Sequence, residues 1–202
     1  MSQDVKQLLV ATGNAGKLAE FRQLLYGDRI EIVGLEAFAD TVEVEETGTT
    51  FAENSLLKAV GYAKQTGMIA IADDSGLEID ALDGRPGVHS ARYLGDVTFG
   101  FRMENILLEL DANGIERNAR FVCCISIADP SGNIVAQEDG ICEGVISYEP
   151  RGKNGFGYDP IFIPNGFENT FGELNDAIKN KISHRSVAIS KIIPKIRGFI
   201  EL

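Results

Sequence analysis

The stretch IADDSGLEIDALDGRPGVHSARY, residues 71–93, gives the strongest indication of the fold of this chain. It begins within the apolar run MIAIA at residues 68–72, which has the composition of a strand buried on both faces. We expect this strand to stop at two adjacent carboxylates, Asp73 and Asp74, at the edge of an α/β sheet where ligands usually bind. The two acids repel each other, so a cation held between them and a neighbouring acid would stabilise the site. The alternative is a solvated Asp-Asp-Ser-Gly turn.

The overall composition is that of a globular chain of 202 residues, with 44% hydrophobic and 24% charged residues. A chain of this length forms one domain or two small lobes, and it buries roughly 70% of its unfolded surface. No apolar run reaches the ~18 residues that a membrane span requires, and the first residues lack the basic start and apolar core of a signal peptide. We therefore expect a single domain over residues 1–202, located in the cytoplasm, with no membrane as partner.

The net charge of −11 argues against a nucleic-acid polymer as partner, because such binding proteins present a basic face. It still permits a small anionic substrate beside a local group of Lys and Arg side chains. The cysteines Cys123, Cys124 and Cys142 match no zinc spacing and lie in apolar segments, so we expect them in the core. The sequence contains only two histidines, which excludes a His-rich metal site.

A possible anion site is the turn VATGNAGK at residues 10–17. An apolar strand before it and a helical pattern after it would direct backbone N–H groups and a helix N-terminus at an anion. Lys17 would add a mobile charge, and the side chains of Thr12 and Asn14 would add hydrogen bonds. The two glycines of the motif stand too close together for a Walker P-loop. An ordinary strand–helix turn is the alternative.

An acidic segment, residues 43–48, precedes a predicted helix that begins with the capping-box spacing of Thr50 and Glu53. This helix carries Lys58 and returns the chain to the strand that contains the aspartates. Glu46 can therefore reach the same site, although an acidic run is usually only a solvated loop.

The middle of the chain predicts one further helix and a long hairpin. Apolar residues recur at helical spacing and predict a helix that closes near Asn113 and Gly114. Residues 119–128 and 134–147 are predicted as two strands around a turn that contains Pro and Gly. Because such a hairpin is unusual in an alternating α/β chain, it predicts a second lobe built near residues 119–147, with a cleft between the lobes.

The segment GKNGFGYDP, residues 152–160, is too rich in glycine for a strand but carries two aromatic side chains. With no core pattern nearby, Phe156 and Tyr158 are interpreted as a stacking platform rather than as packing. A cationic cluster at residues 179–186 opens the last predicted helix, in which Pro194 should cause a kink or an end. Against the net charge of −11, we interpret the cluster as an anion- or base-binding site, with a solvated patch as the alternative.

These features together are those of a protein that holds a nucleoside triphosphate with magnesium. Their motifs resemble the inosine triphosphate pyrophosphatase family, the non-canonical purine NTP pyrophosphatases also called XTP/dITP diphosphatases. The motifs, in chain order, are VATGNAGK, EETGTTFAENSLLKA, IADDSGLEIDALDGRPGVHSARY, GKNGFGYDPIFIP and KNKISHRSVA. The resemblance implies an α/β fold with a mixed sheet, flanking helices and two lobes around a central nucleotide-binding cleft. It also implies a homodimer and hydrolysis of ITP, dITP and XTP, with Mg²⁺, to the monophosphate and pyrophosphate, which cleanses the nucleotide pool.

The resemblance also implies a role for each motif residue. Asp74 would be the catalytic base and a magnesium ligand, with Glu46 as the partner ligand and the neighbouring Asp73 as a third acid of the metal site. The phosphates would be held by Thr12, Gly13, Asn14, Ala15, Gly16, Lys17, Lys58 and Ser75. The sugar and base would be held by Phe156, Gly157, Tyr158, Asp159, Lys179, His184 and Arg185. Since a guanidinium only donates hydrogen bonds, Arg185 would donate to the 6-oxo group of ITP and XTP, whereas it would face the amino group of adenine donor to donor.

Two other functions are compatible with these motifs. A non-catalytic nucleotide sensor would keep the phosphate- and base-binding residues but would not need adjacent acids at a strand end. A pyrophosphatase that acts on a pyrimidine or a modified standard nucleotide would keep all of them. The apolar segment TFGF at residues 98–101 and Pro194 depart from the family pattern, which puts local helix geometry in doubt rather than activity.

Overall fold

The structure, a computed structural model, describes residues 6–26, 30–113 and 116–200. These residues form five α-helices and one six-stranded sheet. The strands are β1 Lys6–Val10, β2 Ile30–Gly34, β3 Ala70–Ile79, β4 Asn118–Ala128, β5 Ile134–Ile146 and β6 Phe162–Pro164. The helices are α1 Ala15–Leu24, α2 Phe51–Thr66, α3 Phe99–Asn113, α4 Asp176–Ile182 and α5 His184–Ile200.

The strand order in the sheet is β2-β1-β3-β4-β5-β6. Strand β1 pairs in parallel with both β2 and β3, whereas β5 and β6 are antiparallel. The predicted α/β fold with a mixed sheet is therefore confirmed. The hairpin between β4 and β5 is confirmed as well, and its turn is closed by a 2.9 Å hydrogen bond from the Asp129 N–H to the Asn133 carbonyl.

The chain divides into two compact units, and strands β3, β4 and β5 each contribute residues to both. Unit 1 comprises Met1–Asp74, Cys123–Gly140 and Arg185–Leu202, and unit 2 comprises Ser75–Val122 and Ile141–His184. The arrangement of two lobes around a cleft stays a prediction. In the ranges that the structure describes, none of the helices has the length and apolar character that crossing a membrane requires.

Unit 1 has an apolar cluster on each side of its part of the sheet. Leu8 and Val10 of β1 belong to the cluster that includes side chains of α1 and α5, whereas Leu9 belongs to the cluster that includes side chains of α2. In β3, Ile71 lies with the first cluster and Ala72 with the second. This alternation follows from the two-residue period of a strand, and it fixes the sides to which the next two residues of β3 point.

Unit 2 has one apolar core, which contains side chains from β3, α3, β4 and β6 and from the segment after β6. It includes Leu77, Ile106, Phe121, Phe162 and Phe171. The cysteines Cys123, Cys124 and Cys142 are buried, as predicted, and form no disulfide. Burial raises the pKa of the Cys124 and Cys142 thiols to about 12, so neither is a reactive thiolate.

Helix α2 begins as the sequence predicts. The Thr50 hydroxyl accepts a 3.1 Å hydrogen bond from the Glu53 N–H, and the Glu53 carboxylate accepts a 3.1 Å hydrogen bond from the Thr50 N–H. This reciprocal capping box fixes the start of the helix that carries Lys58. Helix α3 ends at Asn113, near the predicted position, and Gly114 lies outside the described residues.

The expectation that the strand stops at the aspartates is wrong, because β3 runs on to Ile79. What stops is its parallel neighbour: the pairing of β1 with β3 reaches Val10 and Ile71 and goes no further in register. Asp73 and Asp74 therefore lie in mid-strand, just beyond the carboxyl end of β1. The apolar side chains that follow, including Leu77, keep β3 in the core of unit 2.

The predicted cationic segment leads into the last helix, α5, which begins at His184. It is not helical throughout, because Ser183 has an extended backbone (ψ 153°) that separates α4 from α5. Of the two effects predicted for Pro194, an end of the helix is excluded, because α5 continues to Ile200; a kink stays a prediction.

Candidate active site

The turn between β1 and α1 is held by its own side chains. The Asn14 side chain caps α1 by accepting a 3.0 Å hydrogen bond from the Lys17 N–H, and the Thr12 hydroxyl accepts a 3.2 Å hydrogen bond from the Asn14 N–H. A Cβ at Gly13 would meet no atom within 4 Å, so the turn is open on that side. Ala15 and Gly16 form the first turn of α1, and their N–H groups point out of the helix N-terminus.

Asp73 and Asp74 point to opposite sides of β3. The alternation of side chains along a strand continues the pattern of Ile71 and Ala72, so Asp73 lies on the side of α1 and α5 and Asp74 on the side of α2. Both are buried, with 1% and 6% of the residue exposed. The alternative of a solvated turn at this position is therefore wrong. The expectation that one cation lies between the two carboxylates is wrong as well, because they point to opposite sides of the strand.

The Asp73 carboxylate belongs to a buried group of four charges. Its Oδ2 atom lies 3.1 Å from the Lys17 Nζ atom and 2.8 Å from an Nη atom of Arg185, and Arg185 also forms an ion pair with Glu20. Two cations and two anions balance one another, which is the condition under which buried charges are tolerated. Arg185 is only 1% exposed, so the alternative of a solvated cationic patch is wrong for this residue.

The electrostatic surroundings keep Asp73 ionised. Burial alone would raise the pKa of Asp73, but Lys17 and Arg185 outweigh it and hold the pKa well below its usual range. The pKa of Arg185 is raised, because Asp73 and Glu20 outweigh the opposing effect of burial. The group around Asp73 is therefore a fixed structural element at any working pH.

The Asp74 carboxylate lies in a different group, with Lys58, Glu46 and Asn54. The Lys58 Nζ atom is 2.5 Å from Glu46 Oε1 and 3.2 Å from Asp74 Oδ1. The other carboxylate oxygen, Asp74 Oδ2, accepts a 3.2 Å hydrogen bond from the Asn54 side chain. The acidic segment that the sequence placed near the site thus reaches it through Glu46.

Burial raises the pKa of Asp74, and the nearby Lys58 only partly opposes this effect. The pKa of Lys58 would be lowered by burial, but Asp74, Asp73 and Glu46 outweigh burial and raise it. Asp74 is therefore a carboxylate with increased basicity beside a permanently charged ammonium group. Of the two adjacent acids, it is the one whose pKa is shifted in the direction that a general base requires.

Asn54 fixes the geometry of this group. Its side-chain oxygen accepts a 2.8 Å hydrogen bond from the Gly48 N–H, so its NH₂ group must face Asp74. Gly48 approaches so closely that a Cβ there would lie 2.7 Å from the Asn54 oxygen. Asn54, which is fully buried, therefore joins the acidic segment to Asp74 and holds Glu46 near it.

The residues around Asp74 fit a magnesium ion in part. Glu46 and Asp74 offer carboxylate oxygens to a single cationic position, which Lys58 takes in the structure. Among the described residues, no group of three or more Asp, Glu, His or Cys side chains converges on one point. Mg²⁺ is commonly held by one or two carboxylates, with water and substrate phosphates as the other ligands, so a pair of acids is sufficient.

In unit 2, the glycine-rich segment forms a second group of predicted site residues. Asp159 is buried and accepts hydrogen bonds from the Phe156 N–H at 2.7 Å and from the Lys179 Nζ atom at 2.6 Å. The Lys179 ammonium group also lies 4.7 Å from the centre of the Phe156 ring, a cation–π contact. Gly155 permits this geometry, because it has φ +70° and a Cβ there would lie 1.9 Å from an Asp159 oxygen.

The interpretation of both aromatics as a stacking platform is wrong for Tyr158. Its ring is 3% exposed and packs edge-on against Phe99 at 5.2 Å, and its hydroxyl donates a 2.9 Å hydrogen bond to the Ser90 carbonyl. Phe99 comes from the apolar TFGF segment, and it also lies beside Gly157. The local sequence could not indicate that Tyr158 is buried, because its partner comes from a distant segment of the chain.

The remaining predicted residues are placed as follows. His184 is buried and stacks on Phe121, with 4.8 Å between the ring centres. Ser75 follows Asp74 in β3 and is partly buried. Lys179, His184 and Arg185, which the sequence grouped as one cationic cluster, thus each contact different partners: Asp159, Phe121 and the Asp73 group.

Sequence reasoning missed Glu20 and Asn54. Glu20 lies one helical turn after Lys17, and this spacing of opposite charges was an available signal. Asn54 lies one turn before Lys58 on the same face of α2. Because Asn is unfavourable inside a helix, an Asn four residues before a Lys indicates a role other than helix formation.

The chain is similar to proteins of one family in sequence and in structure. The sequence profile of the Ham1 family matches residues 8–195 of this chain. A dITP/XTP pyrophosphatase from a Nostoc species is 47% identical over 195 residues, 96% of each chain, and one from a Synechocystis species is 48% identical over 193 residues, 95% of each chain. The solved structure of a HAM1 protein from Coxiella burnetii superposes with a TM-score of 0.86 at 41% identity, over 96% of this chain and 99% of that one.

Proposed function

This chain belongs to the Ham1 family, and we propose that it hydrolyses the non-standard purine nucleotides ITP, dITP and XTP to the monophosphate and pyrophosphate. The names of its relatives support this substrate class. Such an activity would remove deaminated purines from the nucleotide pool. Assembly as a homodimer and location in the cytoplasm stay predictions.

The observation that carries the proposal is the group around Asp74. A buried carboxylate with a raised pKa is placed next to a second acid, Glu46, and a permanent cation, Lys58. A hydrolase needs this combination, since one group must accept the proton of water while others hold the charged substrate. A protein that only binds nucleotides has no use for a basic carboxylate in this position.

In the proposed mechanism, Asp74 orients a water molecule and accepts its proton as the oxygen attacks the triphosphate. Asn54 keeps one carboxylate oxygen of Asp74 engaged, which leaves the other to face Lys58 and Glu46. Magnesium, held by Glu46 and Asp74, would neutralise the negative charge that develops on the pyrophosphate leaving group. Lys58 and the N-terminus of α1 would hold the phosphates.

The second group of site residues would hold the nucleoside. Phe156 would stack on the base, and Asp159 and Lys179 would supply hydrogen-bonding groups at the edge of the ring. In unit 1, Arg185 directs its guanidinium at Asp73 and Glu20. Base reading by Arg185 would therefore require it to exchange a carboxylate partner for the substrate.

The test is a panel of nucleoside triphosphates with Mg²⁺ and an assay for pyrophosphate. We expect kcat/KM to fall from ITP and XTP to GTP and then to ATP. Release of orthophosphate alone, or equal turnover of a pyrimidine nucleotide, would contradict the proposal. Hydrolysis in ¹⁸O-labelled water then identifies the phosphorus that is attacked, because the label enters either the monophosphate or the pyrophosphate.

A further inference from the structure

Lys58 takes the position at which two acids of the candidate site converge. Its Nζ atom lies 2.5 Å from Glu46 and 3.2 Å from Asp74, and its side chain is only 12% exposed. These two carboxylates are also the residues proposed to hold a divalent cation. One position between two acids thus has two candidate occupants, the ammonium group of the chain itself and the metal.

We propose that Lys58 competes with the divalent cation for Glu46 and Asp74, so that the site binds the complex of metal and polyphosphate in preference to the free metal. This inference rests on the proposed function and deepens it. Without substrate, Lys58 pairs with the two carboxylates. When the complex of metal and polyphosphate is bound, Lys58 pairs with the substrate phosphates instead.

The competition follows from charge and from space. Two cations within a few ångströms of each other repel strongly in a partly buried site, where water screens them poorly. A polyphosphate removes the conflict, because it brings the metal with it and offers Lys58 new anionic oxygens. The flexible four-carbon stem of lysine allows the ammonium group to move while the helix stays in place.

The neighbouring contacts make Lys58 the mobile member of the group. Asp74 is held through its second oxygen by Asn54, at 3.2 Å, and Asn54 is itself held by the Gly48 N–H at 2.8 Å. These contacts do not involve Lys58, so they persist when the ammonium group leaves. The Asp74 carboxylate therefore keeps its position for the metal.

The test measures binding rather than turnover, with Mn²⁺ as an electron-paramagnetic probe because carboxylate sites accept Mn²⁺ as well as Mg²⁺. Free Mn²⁺ and the Mn²⁺–tripolyphosphate complex are titrated separately into the 202-residue chain. For Lys58→Met we expect affinity for free Mn²⁺ to rise by about tenfold and affinity for the complex to fall by about tenfold, within the usual range of coupling between two ligands.

Three further variants serve as controls. Lys64→Met removes the same charge from an exposed position of α2 and should change neither affinity. Lys58→Arg keeps the charge, so free Mn²⁺ should bind as weakly as in the wild type. Glu46→Gln should weaken both titrations, because an amide is a poorer ligand for a hard cation than a carboxylate. Circular dichroism confirms that each variant is folded.

The inference is overturned if Lys58→Met leaves the affinity for free Mn²⁺ unchanged or lowers it, or if the complex binds as well as before. This failure is distinct from failure of the proposed function. If the protein hydrolyses ITP but Lys58→Met does not shift the two affinities in opposite directions, the proposed function stands and the competition is excluded. If the affinities shift in opposite directions but the protein releases no pyrophosphate from ITP, the competition stands and the proposed function is excluded.

Discussion

Asp73 and Asp74 are neighbours in β3, yet their carboxylates lie in opposite surroundings. Asp73 is in a balanced group with Lys17, Glu20 and Arg185, which holds its pKa below the usual range. Asp74 faces α2, where burial raises its pKa although Lys58 is near. The side of the strand, rather than the type of residue, separates a structural carboxylate from a reactive one.

This contrast explains why a pair of adjacent acids is useful in one strand. The Asp73 group ties β3 to α1 and α5 within unit 1, and so fixes the backbone from which Asp74 projects. The Asp74 group is more accessible, since the Glu46 side chain is 27% exposed. The Asp74 side should therefore govern turnover, and the Asp73 side should govern stability.

The largest effect is expected from Asp74→Asn. An amide cannot accept the proton of the attacking water, so kcat for ITP should fall by ~10²–10⁴-fold. Steady-state assays of pyrophosphate release measure the change. The matched control is Asp40→Asn, the same substitution at an exposed position, which should leave kcat unchanged. Near-normal turnover by a folded Asp74→Asn protein would remove Asp74 from its role as base.

The next effect is expected from Arg185→Met. This substitution leaves Asp73 and Glu20 buried without their main cation, and breaking a buried ion pair in this way costs about 3–5 kcal/mol of unfolding free energy. Urea unfolding measures the loss. Arg22→Met is the control, because Arg22 forms an exposed ion pair with Glu36, and such pairs contribute about 0–1 kcal/mol.

An unchanged stability of Arg185→Met, combined with loss of the preference for ITP over ATP, would contradict the structural role. It would show instead that Arg185 reads the base, as the resemblance of its motif implies.

Acid should reproduce part of the loss of stability that is expected for Arg185→Met. The pKa of Asp73 is lower in the folded protein than in the unfolded chain, so its stabilisation is complete above the usual carboxyl pKa of about 4. It is lost as the pH falls below that value towards the folded pKa. Urea unfolding from pH 7 to pH 3 should therefore show a steeper fall for the wild type than for Asp73→Asn. Parallel curves would show that Asp73 does not titrate as proposed.

The smallest effect is expected in unit 2, from Phe156→Ala. Loss of a stacked base should weaken binding of all purine nucleotides alike by about 1–3 kcal/mol, with kcat little changed. KM for ITP, GTP and ATP measures this. Phe101→Ala is the control, since Phe101 is an exposed residue of α3. An effect on ITP alone would mean that Phe156 contributes to selectivity rather than to stacking.

Local patterns in the sequence were enough to predict an α/β chain with a hairpin, the capping box of α2 and the approach of Glu46 to Asp74. The mixed sheet was implied by the resemblance of the motifs to a known family. Packing between segments that are distant in sequence could not be predicted from such local patterns. Tyr158 looked like a loop aromatic because its partner, Phe99, is distant in sequence.

The positions of the two aspartates were predicted only in part. Their strand continues beyond the end of β1, and no local pattern encodes where a neighbouring strand stops. Their separation onto opposite sides does follow from the period of a strand. It becomes visible only once both residues are known to lie within β3.

Urea unfolding of Asp73→Asn and Asp74→Asn, side by side at pH 7, tests the contrast most directly. Asp73→Asn removes the anion between Lys17 and Arg185 and should lower the unfolding free energy by about 3–5 kcal/mol. For Asp74, the folded pKa is raised, so the ionised carboxylate opposes folding at pH 7, and Asp74→Asn should be as stable as the wild type or more stable. Equal losses in the two variants, or a loss in Asp74→Asn alone, would contradict the assignment of a structural and a reactive side to β3.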